Sequence, residues 1–235
     1  MAQPRRFLTA EWRWLAMLNY EVPSAALLPF APAGTELDSF NGITYASVVG
    51  FLFLDTRVLG WAVPFHRDFE EVNLRFYVRR KGPDGWRRGV VFIKEMVPRR
   101  AIATVARALY GENYVRLAMR HRVELPAVSY EWRVGGRWSG LSVRACGEAA
   151  VPAEGTTEQF ITEHYWGYTK QRRGPALEYS VKHPAWRVWQ VAEANLNCEE
   201  ELLYGPAFAE VLSKPPRSAF LAEGSAIEVY RGALL

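Results

Sequence analysis

A polar stripe on one predicted β-strand is the part of the sequence best suited to chemistry. Residues 71–78 read Glu-Val-Asn-Leu-Arg-Phe-Tyr-Val. Because side chains alternate across a strand, Glu71, Asn73, Arg75 and Tyr77 share one face. Facing a cavity walled by the abundant aromatic residues (14% of the chain), Glu71 could act as an acid or base and Arg75 could clamp an anion. Facing water, the two would form a surface ion pair that contributes about 0–1 kcal/mol.

Lysine is the other side chain that could supply an activated nucleophile. Arginine stays protonated, whereas a desolvated lysine can form a Schiff base. The five lysines are Lys81, Lys94, Lys170, Lys182 and Lys214. Lys94 ends an apolar strand and is the best candidate amine, although a lysine at a strand end can equally extend its ammonium group into solvent.

The four histidines show no spacing typical of metal ligands, so we predict no metal site. His183 stands at the end of a predicted strand, just before Pro184 and Trp186. It could project into a barrel mouth and orient or protonate a ligand, or it could be a hydrogen-bonded structural side chain. The sequence contains neither Gly-x-Gly-x-x-Gly nor a P-loop, and we expect no cofactor.

Charge and composition narrow the partners and the location. Lysine and arginine total 29 against 25 acidic residues, and the basic clusters fall at predicted hairpin tips, so nucleic-acid binding is not predicted. The longest uncharged apolar stretch, residues 45–54, is far shorter than the ~20 residues of a membrane span. With no export signal, and with Cys146 and Cys198 predicted to be buried, the chain is expected in the cytoplasm. The expected partner is a small molecule, and a homo-oligomer is compatible with the sequence.

Turn signals at short intervals predict an antiparallel meander of strands rich in Val, Tyr, Trp and Phe. The turns are Asn41-Gly42, Gly82-Pro83-Asp84-Gly85, Gly135-Gly136 and Arg173-Gly174-Pro175. Several strands, such as residues 46–54, are apolar on both faces. This pattern predicts a closed barrel with a packed interior and helices outside, or a sandwich.

The helices are predicted to be few and short. Residues 98–110 are the clearest, with proline in the first turn and Gly111 after the end. Residues 156–164 begin with a capping box, and residues 23–28 and 195–203 are further candidates. We therefore expect a mainly β single domain over residues 1–235.

Two groups of residues resemble signatures of the YqjF-like family of uncharacterised conserved proteins. The first group is Phe69-Glu70-Glu71-Val72-Asn73-Leu74-Arg75-Phe76-Tyr77-Val78, then Gly89-Val90-Val91-Phe92, Ala106-Arg107 and Tyr114. The second is Glu158-Gln159-Phe160-Ile161-Thr162-Glu163-His164-Tyr165 with Val181-Lys182-His183-Pro184-Ala185-Trp186. The resemblance implies the acetoacetate decarboxylase-like fold, a closed antiparallel β-barrel with an internal cavity. It also adds Arg107 and Tyr114 to the candidate ligand-binding residues Glu71, Asn73, Arg75 and Tyr77.

The same resemblance bears on the reaction. Acetoacetate decarboxylases form a Schiff base with a keto acid through a lysine that follows a Gly–aromatic–Pro turn. The similar place here is Gly111-Glu112-Asn113-Tyr114, which implies that Tyr114 stands where the nucleophile is expected. A phenol cannot form an imine, and this argues against the parent decarboxylation.

Two hypotheses remain open at this point. In the first, a cavity binds a small organic acid or carbonyl compound. Arg75 would anchor the carboxylate, Glu71 would be the acid or base, and Tyr114 or His183 would orient or protonate the ligand. A lyase or decarboxylase-like reaction that uses Glu71 and Arg75 is one form of this hypothesis. In the second, the barrel binds a hydrophobic small molecule without catalysis. Burial of Glu71 and Arg75 is the feature that discriminates a site from a bare scaffold.

Overall fold

A computed structural model of the chain describes residues 5–62, 66–98, 113–171 and 174–235. The strands are β1 (Arg6–Glu21), β2 (Glu36–Leu37), β3 (Tyr45–Val58), β4 (Trp61–Ala62), β5 (Phe69–Gly82), β6 (Gly85–Val97), β7 (Tyr114–Arg116), β8 (Ala118–Glu124), β9 (Ala127–Val134), β10 (Arg137–Ala150), β11 (Trp166–Thr169), β12 (Leu177–Lys182), β13 (Val188–Asn197), β14 (Ser218–Tyr230) and β15 (Ala233–Leu234). The helices are α1 (Ser24–Leu27), α2 (Thr157–Thr162), α3 (Glu200–Tyr204) and α4 (Pro206–Leu212), with a 3-10 turn over Leu28–Phe30. The helix predicted over residues 98–110 lies outside the described residues, apart from its first position.

Seven strands close into a barrel, which confirms the predicted fold class. Their order around the barrel is β12, β11, β6, β5, β3, β1 and β14, and the pairing of β12 with β14 closes the ring. Among these described strands, β11 runs parallel to β6, whereas the other neighbours in the ring are antiparallel. The reason is that a long connection, rather than a hairpin, joins β6 to β11, so that no tight turn reverses the chain between them.

Tight turns explain why β5 pairs with β6 and why β9 pairs with β10. Gly82 lies opposite Gly85 in the β5–β6 hairpin, and Val134 lies opposite Arg137 in the β9–β10 hairpin. The Asn41-Gly42 turn behaves differently, because it closes only an isolated bridge and β2 pairs with β5 instead of β3. Both edges of β3 are occupied by β1 and β5, which leaves β2 no place beside it.

In the described part of the chain, a second sheet layer and short helices cover the outside of the barrel; the sequence predicted the helices but not the second layer. Strands β13, β10, β9 and β8 continue the sheet beyond β14. The rings of Tyr130 and Trp132 are fully buried in an outer apolar cluster with Leu74 and Phe76 of β5 and Phe208 of α4. A separate inner cluster, which includes Phe51, Phe69 and Trp186, fills much of the barrel interior. Apolar residues on both faces of the strands therefore serve two cores.

Three local predictions have different outcomes. Helix α2 begins where the capping box predicts it, with the backbone N–H of Gln159 donating to Thr156 Oγ1 over 3.3 Å. The prediction of a helix over residues 195–203 is wrong at its start. Strand β13 continues to Asn197, paired with β10, and helix α3 begins only at Glu200. Cys146 is exposed on β10 rather than buried, and Cys198 is half-buried.

None of the described helices is both long enough and apolar enough to cross a lipid bilayer.

Candidate active site

The inside of the barrel contains a cavity of about 170 Å³, called here the barrel cavity. Its wall is mostly aromatic and apolar, with a few polar side chains among the rings. The aromatic rings of the wall include Phe7, Trp12, Phe51, Phe53, Phe69, Phe92, Trp166, Tyr179 and Trp186. A concave, largely apolar space with a few polar groups is the usual form of a small-molecule site.

The polar face of β5 supplies three of the polar side chains in this wall. Glu71, Asn73 and Arg75 all line the barrel cavity and are buried, whereas Val72, Leu74 and Phe76 point into the outer cluster. The Asn73 amide donates a hydrogen bond from Nδ2 to Glu71 Oε1 over 3.0 Å. This bond orients the carboxylate and leaves Asn73 Oδ1 buried with no hydrogen-bond partner in the described part of the chain.

A β-bulge in β6 brings further groups to the same wall. Leu74 pairs with Lys94 and Arg75 with Phe92, so that Ile93 is the extra residue. As a result, Phe92 and Glu95 both line the barrel cavity, and Glu95 is a second buried carboxylate directly opposite Asn73. Lys94 faces the other way.

Arg75 supplies a buried positive charge to the wall. The residue is 8% exposed, and within the described ranges no carboxylate lies within 4 Å of its guanidinium group. Its neighbours among the described residues include the sulfur of Met17, 4.0 Å from Nη2, and the ring of Tyr77, whose centroid is 5.8 Å from Cζ. A buried charge without a counter-charge is costly, so this position favours the approach of an anion.

Tyr114 reaches the carboxylate end of the polar face. It lies on β7, which runs parallel to β6 and places Tyr114 opposite Glu95. Its hydroxyl donates a hydrogen bond to Glu71 Oε2 over 3.3 Å. The tyrosine therefore lies in the wall of the barrel cavity, against Glu71.

His183 also lines the barrel cavity. Its Nδ1 donates to the carbonyl oxygen of Pro184 over 2.8 Å, and its ring stacks on Trp186 with a centroid distance of 4.2 Å. Burial lowers the pKa of His183 to about 4, and the nearby charge of Arg75 acts in the same direction, against the backbone hydrogen bond, which raises it. The imidazole is therefore neutral at pH 7.

A second histidine, His164, lies in the wall with an aspartate behind it. Asp38 Oδ2 is 3.3 Å from His164 Nε2, and Arg88 Nε donates to the same oxygen over 2.7 Å. Burial lowers the pKa of His164 to about 4 even though the hydrogen bond with Asp38 raises it. Burial alone would raise the pKa of Asp38, but its bonds with His164 and Arg88 outweigh burial and hold that pKa below its usual value.

The remaining candidates lie elsewhere. Tyr77 is buried beside the barrel cavity rather than in its wall, with its hydroxyl 2.7 Å from Ser47 Oγ. Lys94 extends away from the cavity and donates to the carbonyl oxygen of Leu203 in α3, and burial lowers its pKa. All five lysines belong to the described part of the chain, and none is in the cavity wall. Arg107 lies outside the described residues.

Among residues 5–62, 66–98, 113–171 and 174–235, no group of three or more His, Cys, Asp or Glu side chains is arranged so that it could hold a metal ion.

Comparison with known proteins places this architecture in a family. Residues 9–226 match the model of the DUF2071 family, described as an uncharacterized conserved protein. The chain belongs to this family. A relative, the uncharacterized protein YqjF of Bacillus subtilis, is 25% identical over 190 residues, which cover 79% of this chain and 76% of YqjF.

Solved structures show the same fold in the family's distant neighbours. The acetoacetate decarboxylase of Legionella pneumophila has a TM-score of 0.71 at 13% identity, covering 100% of this chain and 88% of that one. The enduracididine biosynthesis enzyme MppR, solved with pyruvate, has a TM-score of 0.69 at 15% identity, covering 100% and 91%. At these identities the likeness establishes the acetoacetate decarboxylase-like fold.

Sequence reasoning missed His164, Asp38 and Glu95 as members of the wall or its support. His164 and Asp38 are 126 positions apart, and no local pattern joins them. Glu95 follows a bulge that strand alternation does not reveal. One signal was present: Glu163-His164-Tyr165 directly follows the capped helix α2, which makes the orientation of His164 depend on how that helix docks.

Proposed function

We propose that this protein binds a small organic acid in the barrel cavity, with the carboxylate of the acid paired to Arg75. The observation that carries the proposal is a buried guanidinium group in the cavity wall with no carboxylate in ion-pairing range among the described residues. An arginine fork matches a carboxylate through two parallel hydrogen bonds. Among the described residues, the buried Nε atom of Arg75 has no hydrogen-bond partner.

The rest of the wall supports an acid with an apolar body. In the wall of the barrel cavity, Trp12 contacts Phe51 and Phe53 edge to face at centroid distances of 5.5 and 5.8 Å, and the tilted rings of Phe51 and Phe53 lie 5.2 Å apart. Such rings favour a hydrocarbon or aromatic group. The volume of about 170 Å³ is smaller than the ~300–1,000 Å³ of typical drug-sized sites, which favours a small ligand.

The charges of the wall agree with one anionic group on the ligand. His164 and His183 of the wall are neutral at pH 7, so neither adds a positive charge to that of Arg75. Glu71 and Glu95 lie toward Tyr114 and would disfavour a second carboxylate at that end. MppR, which has a similar fold, is solved with pyruvate, itself a small monocarboxylic acid.

Calorimetric titration with phenylacetate and its neutral amide tests the proposal. We expect the acid to bind, and both the amide and the Arg75→Met variant to lose about tenfold or more in affinity, because a charge-assisted pair contributes about 1.5–3 kcal/mol. Arg79→Met is the matched control, since Arg79 is on the same strand but pairs with Glu36 at the surface. Equal binding of the acid and the amide would instead identify a site for neutral hydrophobic molecules.

A further inference from the structure

His183 has one nitrogen with a fixed role. A carbonyl oxygen can only accept a hydrogen bond, so the 2.8 Å contact with Pro184 requires that Nδ1 carries the proton. In a neutral imidazole the other nitrogen, Nε2, then has a lone pair and can only accept. No hydrogen bond from the described residues reaches Nε2.

Packing holds this ring in place. It contacts Trp186, stacked at an interplanar angle of 20°, and Tyr165, whose centroid is 4.8 Å away. Trp186 is itself anchored, because its Nε1 donates to Ser225 Oγ over 2.9 Å. Two aromatic contacts and the hydrogen bond of Nδ1 restrict rotation of the ring, so Nε2 is a positioned acceptor in the wall of the barrel cavity.

His164 shows a similar pattern in the same wall. Its Nε2 lies 3.3 Å from Asp38 Oδ2 and 3.5 Å from Arg88 Nη2, and we place the proton on Nε2 because the nearer group is a carboxylate that only accepts, which leaves the lone pair on Nδ1. This Nδ1 is buried without a hydrogen-bond partner in the described part of the chain. The Tyr77 ring connects the two groups: the centroid of His164 lies 4.6 Å from it, and Arg75 Cζ lies 5.8 Å from it. Arg75 therefore has two histidine lone pairs in the same part of the cavity wall, whereas the nearby cation Arg88 pairs with Asp38.

From this arrangement we infer that the acid bound at Arg75 also carries a hydroxyl group, which donates its hydrogen bond to Nε2 of His183. A keto acid presents only acceptor oxygens beside its carboxylate, and its carbonyl oxygen would face the lone pair of Nε2. A deoxy acid would leave that acceptor unpaired. Sites built to bond a ligand hydroxyl discriminate strongly against analogues that lack it, because the buried partner is then left unsatisfied. This inference rests on the proposed function and specifies the substrate class as hydroxy acids.

Three acids of one skeleton test the inference: mandelate as both enantiomers, phenylglyoxylate and phenylacetate. We expect one mandelate enantiomer to bind the wild-type protein at least about tenfold more tightly than the keto and deoxy acids. His183→Phe keeps a flat ring against Trp186 but removes the lone pair. We expect it to abolish the preference for mandelate over phenylacetate.

Controls separate this inference from the proposed function. His121→Phe, a change outside the cavity wall, is expected to keep the preference. Binding of all three acids with equal affinity would overturn the hydroxyl inference and leave carboxylate binding intact. A preference that survives His183→Phe but disappears in His164→Gln would overturn the assignment to His183. Failure of every acid to bind would remove the proposed function and this inference together.

Discussion

The hydroxyl of Tyr114 donates a hydrogen bond to Glu71 Oε2 over 3.3 Å, so a phenol lies against the buried carboxylate of the cavity wall. Resemblance to acetoacetate decarboxylases placed Tyr114 where an imine-forming lysine is expected. The carboxylate of Glu71 lies in the cavity wall, but no lysine amine lies there with it. Chemistry that needs a Schiff base therefore has no suitable nucleophile among the lysines, all of which the structure describes outside the wall.

Trapping with borohydride and keto acids should give no adduct. A lysine amine must reach the carbonyl carbon to form an imine, and Lys94, the best sequence candidate, points to α3 instead. Intact mass after treatment with pyruvate or acetoacetate and borohydride is the measurement, with an acetoacetate decarboxylase treated in parallel as the positive control. An increase in mass that maps to Lys94 would contradict the prediction.

Replacing Tyr114 with phenylalanine should destabilise the protein by about 1–2 kcal/mol, because a buried carboxylate loses a hydrogen-bond donor. Urea unfolding monitored by tryptophan fluorescence measures the change. Tyr230→Phe is the matched control: its hydroxyl donates to Glu228 over 2.6 Å near the surface, and we expect a loss below about 0.5 kcal/mol. Equal losses in the two variants would show that the Tyr114 bond has no special role.

Stability should fall when the pH decreases from 7 to 5. The folded pKa of His164 is about 4, below the usual 6.5, so the unfolded chain binds more protons over this interval. For one such histidine the free energy of unfolding decreases by about 2 kcal/mol between pH 7 and pH 5. His183 acts in the same direction, and the lowered pKa of Asp38 extends the loss to more acidic conditions.

His164→Gln isolates the contribution of that residue. Glutamine keeps an N–H that can donate to Asp38 but does not titrate. Urea unfolding at pH 7 and pH 5 should show a smaller pH-dependent loss in this variant than in the wild type. An identical pH dependence of wild type and His164→Gln would mean that His164 does not stay neutral on folding.

Gly224→Ala should destabilise the β1–β14 seam of the barrel by more than about 2 kcal/mol. Gly224 has a φ of +79°, and an added Cβ would lie 2.0 Å from the carbonyl oxygen of Trp12. Gly60, with a φ of +87° and open space around it, is the matched control, and its alanine variant should cost only about 1–2 kcal/mol for the left-handed backbone. Equal thermal shifts in the two variants would show that the contact with Trp12 relaxes freely.

The sequence by itself determined the features that depend on neighbouring residues. Turn chemistry predicted the β5–β6 and β9–β10 hairpins, and alternation along β5 correctly separated Glu71, Asn73 and Arg75 from Val72, Leu74 and Phe76. These outcomes follow from local backbone geometry, since tight turns favour particular residues and strand side chains alternate. Apolar residues on both faces of β3 likewise indicated a strand covered on two sides.

Only the tertiary structure decided which distant side chains meet. The parallel pairing of β11 with β6 brings α2 and His164 to Asp38, and a single bulge residue in β6 turns Glu95 inward and Lys94 outward. Closure of the barrel sets these contacts, because each depends on strand register and on packing between segments far apart in the chain. A single sequence carries no local signal for the register between strands that are far apart in the chain. In the folded protein, the closed ring allows each strand only one set of neighbours.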